Sequence, residues 1–149
     1  MFKKILVAID GSEQSWAVLD LAKELVGPSN DAHLRLICVI DPAYALPEGD
    51  SLFANEQYPA AAHEQHQGQA LMKEALLQLQ VSGIACSADT LSGNDPAVAI
   101  CEEARRMDSD MLVIGHRHMS FFGRLMEPSV TSKVLELSPC PVVVKGQEY

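Results

Sequence analysis

The chain is short of basic residues: 11 Lys and Arg stand against 20 Asp and Glu over 149 residues, for a formal net charge of −9. A surface that binds nucleic acid or an anionic membrane needs a basic face, so this composition argues against both kinds of partner. It does not exclude a small anionic ligand held by a local basic loop. We therefore expect no nucleic-acid partner and no membrane partner.

Long apolar runs are also missing. After Lys3 and Lys4, the apolar run over residues 5–9 stops at Asp10, which is too short for the apolar region of a signal peptide. No run approaches the roughly 18 apolar residues of a membrane span. The sequence therefore predicts a cytoplasmic location.

Metal-type cysteine spacing is absent as well. The four cysteines are Cys38, Cys86, Cys101 and Cys140, and no two of them form a CxxC pair. We interpret them as reduced, mostly buried small hydrophobic residues. His63 and His66 are three residues apart on a predicted helix, but no third ligand completes the spacing, so no metal cofactor is expected.

Apolar segments alternate with amphipathic helices along the chain. The predicted strands cover residues 5–9, 33–40, 84–91, 111–114 and 142–144. The first is continuously apolar and the second mostly apolar, as is typical of strands buried on both faces of a parallel sheet. With right-handed crossovers, the order predicts an α/β fold: a single domain over residues 1–149, with a doubly wound five-stranded parallel sheet and helices on both faces.

Small polar residues predict where three helices begin. Ser12 is a suitable N-cap for the first helix, and Asn94 or Asp95 can cap the third, with Pro96 in its first turn. Ser129 is predicted to start and cap the last helix. Val130, Val134 and Leu137 of that helix are expected to face inward.

The last strand, residues 142–144, is short and apolar and follows two prolines. These features are typical of an edge strand, and an uncovered apolar edge can pair with a second chain. We therefore expect a homodimer formed through this strand.

The stretch from Asp110 to Thr131 combines an apolar strand, a break at Gly115, a basic loop and a helix. In parallel α/β sheets, ligands bind at the carboxyl ends of the strands. A helix N-terminus presents unpaired N–H groups and partial positive charge, which suits a phosphate. This stretch therefore predicts a site for a small anionic ligand.

The spacing in this stretch resembles a family pattern. Two residues separate Gly115 from His118, nine residues separate His118 from Pro128, and Ser129 follows Pro128 directly. The universal stress protein family carries Gly, two residues, Gly, nine residues, Gly and then Ser or Thr at this place. Segments ILVAIDGS, GNDPA and SPCPV also resemble the family, and together the matches cover nearly the whole chain. The resemblance implies an adenine nucleotide alpha hydrolase-like fold.

The resemblance also implies a nucleotide site. In ATP-binding members the end of the first strand lines the nucleoside, the end of the second lies near adenine, and the loop and last helix hold ribose and phosphates. The candidate nucleotide-binding residues are Ala8, Ile9, Asp10, Val39, Ile114, Gly115, Arg117, His118, Ser129, Val130 and Thr131.

Two residues that depart from the family pattern are expected to weaken phosphate binding. His118 places a ring where glycine would allow close backbone approach, and Pro128 has no N–H to donate. Arg117 and Arg124 supply positive charge in the same loop, and we expect the amides of Val130 and Thr131 to remain available. ATP or AMP is therefore the expected ligand, with weakened triphosphate binding.

Three functions stay open. The first is a stress-response module that binds an adenine nucleotide, and the second is a dimeric interaction protein of the same family that binds none. The third is a slow ATPase or phosphotransferase, but no general base or dedicated magnesium site is evident, so no enzymatic activity is predicted. A receiver domain would need an acidic cluster after the first strand, where Asp10 stands alone. Whether residues 41–59 close over the pocket is also left open.

Overall fold

The computed structural model describes residues 2–10, 13–27, 31–40, 59–115 and 128–146. Five strands lie within these ranges: β1 (Lys4–Ala8), β2 (His33–Ile40), β3 (Ala85–Ser92), β4 (Met111–Gly115) and β5 (Val142–Lys145). The helices described are α1 (Gln14–Val26), α2 (Pro59–Val81), α3 (Pro96–Arg106) and α4 (Pro128–Leu137).

All neighbouring strands pair in parallel, in the order β3-β2-β1-β4-β5. The chain runs from the central strand β1 out to β3, then returns to β4 on the other side of β1 and ends at β5. This doubly wound sheet confirms the predicted fold class. The two halves of the winding diverge between β1 and β4, which makes this the topological switch point.

Two apolar cores cover the two faces of the sheet. Ile5, Val7 and Ile9 face α1 and α2, whereas Leu6 and Ala8 face α3 and α4. This alternation is what successive residues of a β-strand require. The described residues of β1 that pack on either face are at most 2% exposed, so β1 is buried on both sides as its apolar sequence predicts.

The predicted strand boundaries agree with the structure to within one residue. Strand β2 covers the predicted residues 33–40, and the others shift or extend by a single position. At the end of β1, the Ile9 N–H donates to the Ile37 carbonyl oxygen at 2.9 Å, so the ladder continues one residue past the strand. The sequence pattern therefore located the strands of the sheet well.

The cap of α3 is as predicted. Asp95 is the N-cap residue, its Oδ1 accepts the Val98 N–H at 3.3 Å, and Pro96 occupies the first turn. Such a cap satisfies an N–H group that has no partner within the helix.

Two other cap predictions fare differently. Helix α4 begins at Pro128, so the prediction that Ser129 is its N-cap is wrong, and Ser129 lies within the first turn. Proline suits the first helical position because its φ is already helical and its missing N–H is not needed there. In α1 the N-cap position is Glu13, which makes no side-chain cap hydrogen bond. Ser12 lies outside the described residues.

The inward face of α4 is shorter than predicted. Val130 and Val134 are buried, but Leu137 is 36% exposed, so its predicted inward position is wrong. Leu137 is the last residue of the helix, where α4 has passed beyond the core that covers Val134. The Leu137 carbonyl oxygen instead accepts the Arg105 Nη2–H at 2.8 Å, which ties the end of α4 to α3.

No disulfide joins the four cysteines, in agreement with the prediction that they are reduced. Cys38 and Cys101 are buried, and Cys86 and Cys140 are half-buried. Burial raises the pKa of the Cys86 and Cys101 thiols, because it disfavours the thiolate. These side chains serve the core as small hydrophobic groups.

At the amino edge of the sheet, the side on which the strands begin, Asp110 links two strands. Its Oδ2 accepts the Lys3 N–H at 2.7 Å and the Lys4 N–H at 2.9 Å, just before β4 begins. These two bonds hold the pKa of Asp110 below its ordinary value. The start of β1 is thereby fastened to the start of β4.

A polar network lies under α3 on the same side of the molecule. Arg35 of β2 donates through Nε to Glu103 Oε1 at 3.0 Å and through Nη1 to Ser87 Oγ at 3.3 Å. Arg106 also pairs with Glu103, and this pairing, opposed by desolvation and aided by Arg35, lowers the pKa of the Glu103 carboxyl. His33 Nε2 lies 2.9 Å from Ser87 Oγ. Each of these groups has a protein partner.

Candidate functional site

The carboxyl ends of β1, β2 and β4 meet on one side of the sheet. This side, the carboxyl edge, is distinct from the edge strand β5. Ala8 is in register with Ile37 of β2 on one side and with Ile114 of β4 on the other. Ala8 and Ile114, two predicted site residues, therefore lie side by side at the switch point. Both are fully buried within the core beneath α3 and α4, so they form the floor of this edge.

Asp10 and Val39 extend past that floor. The hydrogen bond from Ile9 N–H to the Ile37 oxygen keeps β1 and β2 aligned, so Asp10, just after β1, and Val39, near the end of β2, lie at the same edge. Val39 is half-buried against the core that contains Ala8. Asp10 is 4% exposed, which makes it one of few buried acids among the described residues.

Ser15 in the first turn of α1 holds Asp10. The Asp10 N–H donates to Ser15 Oγ at 3.0 Å, and that hydroxyl lies 2.7 Å from the Asp10 carbonyl oxygen and 3.1 Å from its Oδ1. Ser15 is completely buried. Its contact with Asp10 was not predicted; the signal available in the sequence was a serine five residues after an aspartate that ends a buried strand.

The start of α4 lies over the same floor. Val130 is 8% exposed and belongs to the core that contains Ala8 and Ile114, with Val134 one turn further on. The structure therefore brings the predicted phosphate-binding turn of α4 to the ends of β1 and β4.

The helix start changes which amides are free. Because α4 begins at Pro128, the N–H groups of Ser129 and Val130 fall in the first turn, where α-helices leave donors unpaired. The Thr131 N–H falls where hydrogen bonding within the helix begins. The expectation that the Val130 and Thr131 amides are free is thus wrong for Thr131, and Ser129 takes its place.

The Thr131 side chain gives the site an unsatisfied polar atom. Thr131 is 4% exposed, and its Oγ1 has no hydrogen-bond partner within the part of the chain that the structure describes. A buried hydroxyl without a partner costs roughly 1–3 kcal/mol, so such groups call for an explanation. A ligand oxygen at the start of α4 would supply the missing partner.

The remaining predicted residues divide into three groups. Gly115 is buried at the end of β4, in register with Lys145. The Ile9 side chain packs in the opposite core under α1, so only its backbone faces this edge. Arg117 and His118 lie outside the described residues.

A lysine stands one turn into α4, beside the site. Lys133 pairs with Asp95, the N-cap of α3, and both side chains are more than one-third exposed. This contact is the main cause of the lowered pKa of the Asp95 carboxyl. The pair links the starts of α3 and α4 at the carboxyl edge.

Comparison with known proteins identifies the chain. The model of the universal stress protein family matches residues 1–145. The chain belongs to the universal stress protein family. Universal stress protein YxiE of Bacillus subtilis is 30% identical over 149 residues, which cover 97% of this chain and 99% of that relative. This universal stress protein domain thus spans nearly the full length of a named stress protein.

Solved structures agree with the fold. UspA of Lactobacillus plantarum has a TM-score of 0.73 at 24% identity, with 97% of each chain covered. A universal stress protein family protein from Arabidopsis thaliana, solved with AMP bound, has a TM-score of 0.68 at 24% identity and covers 98% of this chain and 92% of its own. The adenine nucleotide alpha hydrolase-like fold implied by the resemblance is therefore confirmed.

The names of the relatives describe stress proteins rather than enzymes. None of the helices within the described ranges is both long and apolar enough to cross a membrane. Within those same ranges, no group of three or more His, Cys, Asp or Glu side chains is placed to hold a metal ion.

Proposed function

We propose that this universal stress protein domain binds an adenine nucleotide, AMP or ATP, at the carboxyl edge of β1, β2 and β4. The observation that carries the proposal is the buried Thr131 hydroxyl, which has no partner among the described residues. It stands in the turn of α4 that also presents the Ser129 and Val130 amides. A phosphate oxygen satisfies both kinds of donor, and the partial positive charge of a helix start favours it.

Other residues fit the nucleoside end of the ligand. Val39, half-buried near the end of β2 against the core that contains Ala8, offers apolar surface that suits the face of a base. The Asp10 carboxylate is held at the same edge and can accept hydrogen bonds from hydroxyl or amino groups. The relative from Arabidopsis thaliana was solved with AMP, which supports an adenine nucleotide as the ligand class.

The sequence favours a short phosphate chain. Pro128 is the first residue of α4 and lacks the N–H that a glycine there would offer. A hydrogen bond to a charged group is worth roughly 1.5–3 kcal/mol, so one missing donor weakens phosphate binding about tenfold or more. We therefore expect AMP to be held by the α4 turn and ATP to gain little from its further phosphates.

Titration calorimetry on the wild type and on Thr131→Val tests the proposal. Valine matches the shape of threonine but cannot pair with a phosphate oxygen. We expect Thr131→Val to weaken AMP binding about tenfold while the nucleotide-free protein becomes about 1 kcal/mol more stable, because an unpaired buried hydroxyl is removed.

The opposite signs of the two effects make the test sharp. Ser132→Ala, an exposed position on the same helix, is the matched control and should change neither quantity. Wild-type protein that binds neither AMP nor ATP would overturn the proposal. So would a Thr131→Val variant that loses stability and keeps its affinity, since the hydroxyl would then serve the fold.

We also propose that the domain forms a homodimer through β5, and this supports an interaction role as the second candidate function. Strand β5 lies at the edge of the described sheet, and its residue Val144 is 37% exposed. An uncovered apolar edge favours pairing with a second copy.

The geometry of β5 offers a clean test of the dimer. The Leu112 N–H donates to the Pro141 oxygen, and Leu112 is in register with Val142. In a parallel ladder, alternate residues of the edge strand then point their N–H groups outward, which includes Val144. Val144→Pro removes an outward donor, and proline is tolerated on edge strands. In analytical ultracentrifugation we expect the wild type to be a dimer and the Val144→Pro variant to be a folded monomer. A monomeric wild type would refute the proposed dimer.

Enzymatic inactivity and the cytoplasmic location stay predictions from the sequence. Phosphate release that is no faster in wild type than in Asp10→Ala would exclude Asp10-dependent ATP hydrolysis.

A further inference from the structure

One buried serine holds the end of β1, and the proposed function does not use it. Ser15 is the second residue of α1 and is 0% exposed. Its hydroxyl contacts three atoms, and all three belong to Asp10. We propose that Ser15 is a positioning residue that sets the Asp10 carboxylate for the nucleoside, an inference that rests on the adenine-nucleotide function proposed above.

The hydrogen bonding of this hydroxyl is fully used. Its oxygen accepts the Asp10 N–H at 3.0 Å, and its single proton can go to the Asp10 carbonyl oxygen at 2.7 Å or to Oδ1 at 3.1 Å. One side chain therefore restrains the backbone on both sides of the Asp10 Cα and one oxygen of its carboxylate.

This arrangement differs from ordinary helix capping. A serine at the start of a helix usually accepts an N–H group of its own first turn. Here the N-cap position of α1 is Glu13, whose side chain makes no cap bond, and Ser15 reaches back across the turn to Asp10. The Ser15 hydroxyl therefore bonds to Asp10 at the end of β1 and not to an N–H group of α1.

The turn that carries Ser15 is itself anchored. The neighbouring Gln14 donates through Nε2 to the Lys145 carbonyl oxygen at 3.2 Å, at the end of β5. The first turn of α1 is thus tied to β1 through Ser15 and to β5 through Gln14. A group that orients a ligand must itself be held by rigid surroundings, and this anchoring supplies them.

A double-mutant cycle tests the inference, with AMP as the probe. We expect Ser15→Ala to weaken AMP binding about tenfold, as loss of one well-placed charged contact does. In an Asp10→Asn background the same change should weaken binding less than about twofold, because the carboxylate that Ser15 positions is already gone. Affinity is measured by titration calorimetry.

Stability provides the readout that separates positioning from folding. Ser15 bonds the Asp10 backbone in both backgrounds, so its effect on the urea midpoint should be similar in both. A purely structural Ser15 would instead weaken AMP binding by the same factor with Asp10 or Asn at position 10. Ser15→Thr, which keeps the hydroxyl, should restore AMP affinity to within about threefold of wild type. Ser82→Ala, an exposed serine at the end of α2, is the control.

Each outcome decides something different. If Ser15→Ala does not fold, Ser15→Cys keeps the volume with only a weak hydrogen-bonding group and carries the same expectation. Equal AMP affinity of wild type and the Ser15 variants overturns the positioning role and leaves the proposed function standing. Wild type that binds no AMP overturns both.

Discussion

The amino and carboxyl edges of the sheet differ in whether their buried polar groups have hydrogen-bond partners among the described residues. At the amino edge, Asp110 accepts two backbone N–H groups, and Arg35 is bonded to Glu103 and Ser87. At the carboxyl edge, the buried Thr131 hydroxyl has no partner among the described residues, and the first-turn amides of α4 are free of helical bonds. Among the described residues, the amino edge is satisfied by its own side chains, whereas at the carboxyl edge the proposed nucleotide would supply the partner that Thr131 lacks.

This contrast separates stability from function within one sheet. Satisfied polar networks hold strands and helices in place, and removing one partner leaves a costly buried charge. An unsatisfied group lowers stability until a ligand arrives. Substitutions at the amino edge should therefore change folding without changing nucleotide affinity, whereas substitutions of the proposed ligand-binding residues at the carboxyl edge should change nucleotide affinity.

The largest effect is expected at Glu103. Its side chain is 7% exposed and pairs with Arg35, whose side chain is 13% exposed. Glu103→Ala leaves this arginine short of its main partner, so we expect a loss of about 3–5 kcal/mol in the free energy of unfolding. Chemical denaturation measures it, and AMP affinity should stay unchanged. Glu102→Ala, at the exposed neighbouring position, should cost far less; equal costs would contradict the closed network.

Asp110→Asn should have a smaller and pH-dependent effect. Loss of the charged acceptor for the Lys3 and Lys4 N–H groups should cost about 1–2 kcal/mol at neutral pH. Because the folded-state pKa is lowered, this stability is fully present above the unfolded value of about 3.9 and is lost as the pH falls through the lower folded value. Wild type and variant should therefore converge in urea denaturation below that range. Asp20→Asn is the exposed control, and a gap that persists in acid would refute the prediction.

Pro128→Ala tests whether the missing N–H at the start of α4 weakens phosphate binding at the carboxyl edge. Alanine restores an N–H at the first position of α4 without the flexibility of glycine. We expect about tenfold tighter ATP binding by calorimetry, equivalent to about 1.4 kcal/mol. The variant Pro139→Ala, at an exposed proline outside the helix, should bind as wild type does. No gain in affinity would remove the argument that proline weakens phosphate binding.

The smallest effect is expected from Lys133→Ala. The pair of Lys133 with Asp95 is more than one-third exposed on both sides, and exposed ion pairs contribute about 0.2–1 kcal/mol. We expect a loss of stability in that range at low salt that shrinks in 0.5 M salt, where charges are screened over about 4 Å. A larger, salt-independent loss would show that α4 depends on this pair for its position.

The sequence was sufficient for the fold but not for the polar interior. The sequence located every described strand to within one residue, including the only partly apolar β3, and the Asp95–Pro96 pair marked the start of α3. These signals are local. Which side chain completes a hydrogen bond across the fold is not a local property, so the Ser15–Asp10 contact was missed.

Some of the missed features left a trace in the sequence. Glu103 lies on the α3 face that carries Ile100 and Ala104, and Arg35 interrupts an apolar strand. An acid on the buried face of a helix and a base in a buried strand predict an ion pair between helix and sheet, because a buried charge is unstable without a partner. The start of α4 was misplaced by one residue because serine is a good N-cap and proline a good first helical residue, and sequence alone does not rank the two.

The most direct test of the contrast between the two edges is a ¹⁵N NMR titration of the wild-type domain with AMP. The account predicts saturable shifts of the amide signals of Asp10, Val39, Gly115 and Ser129, with those of Lys4, Arg35 and Glu103 unmoved. Shifts confined to the amino edge, or no shifts at millimolar AMP, would contradict it.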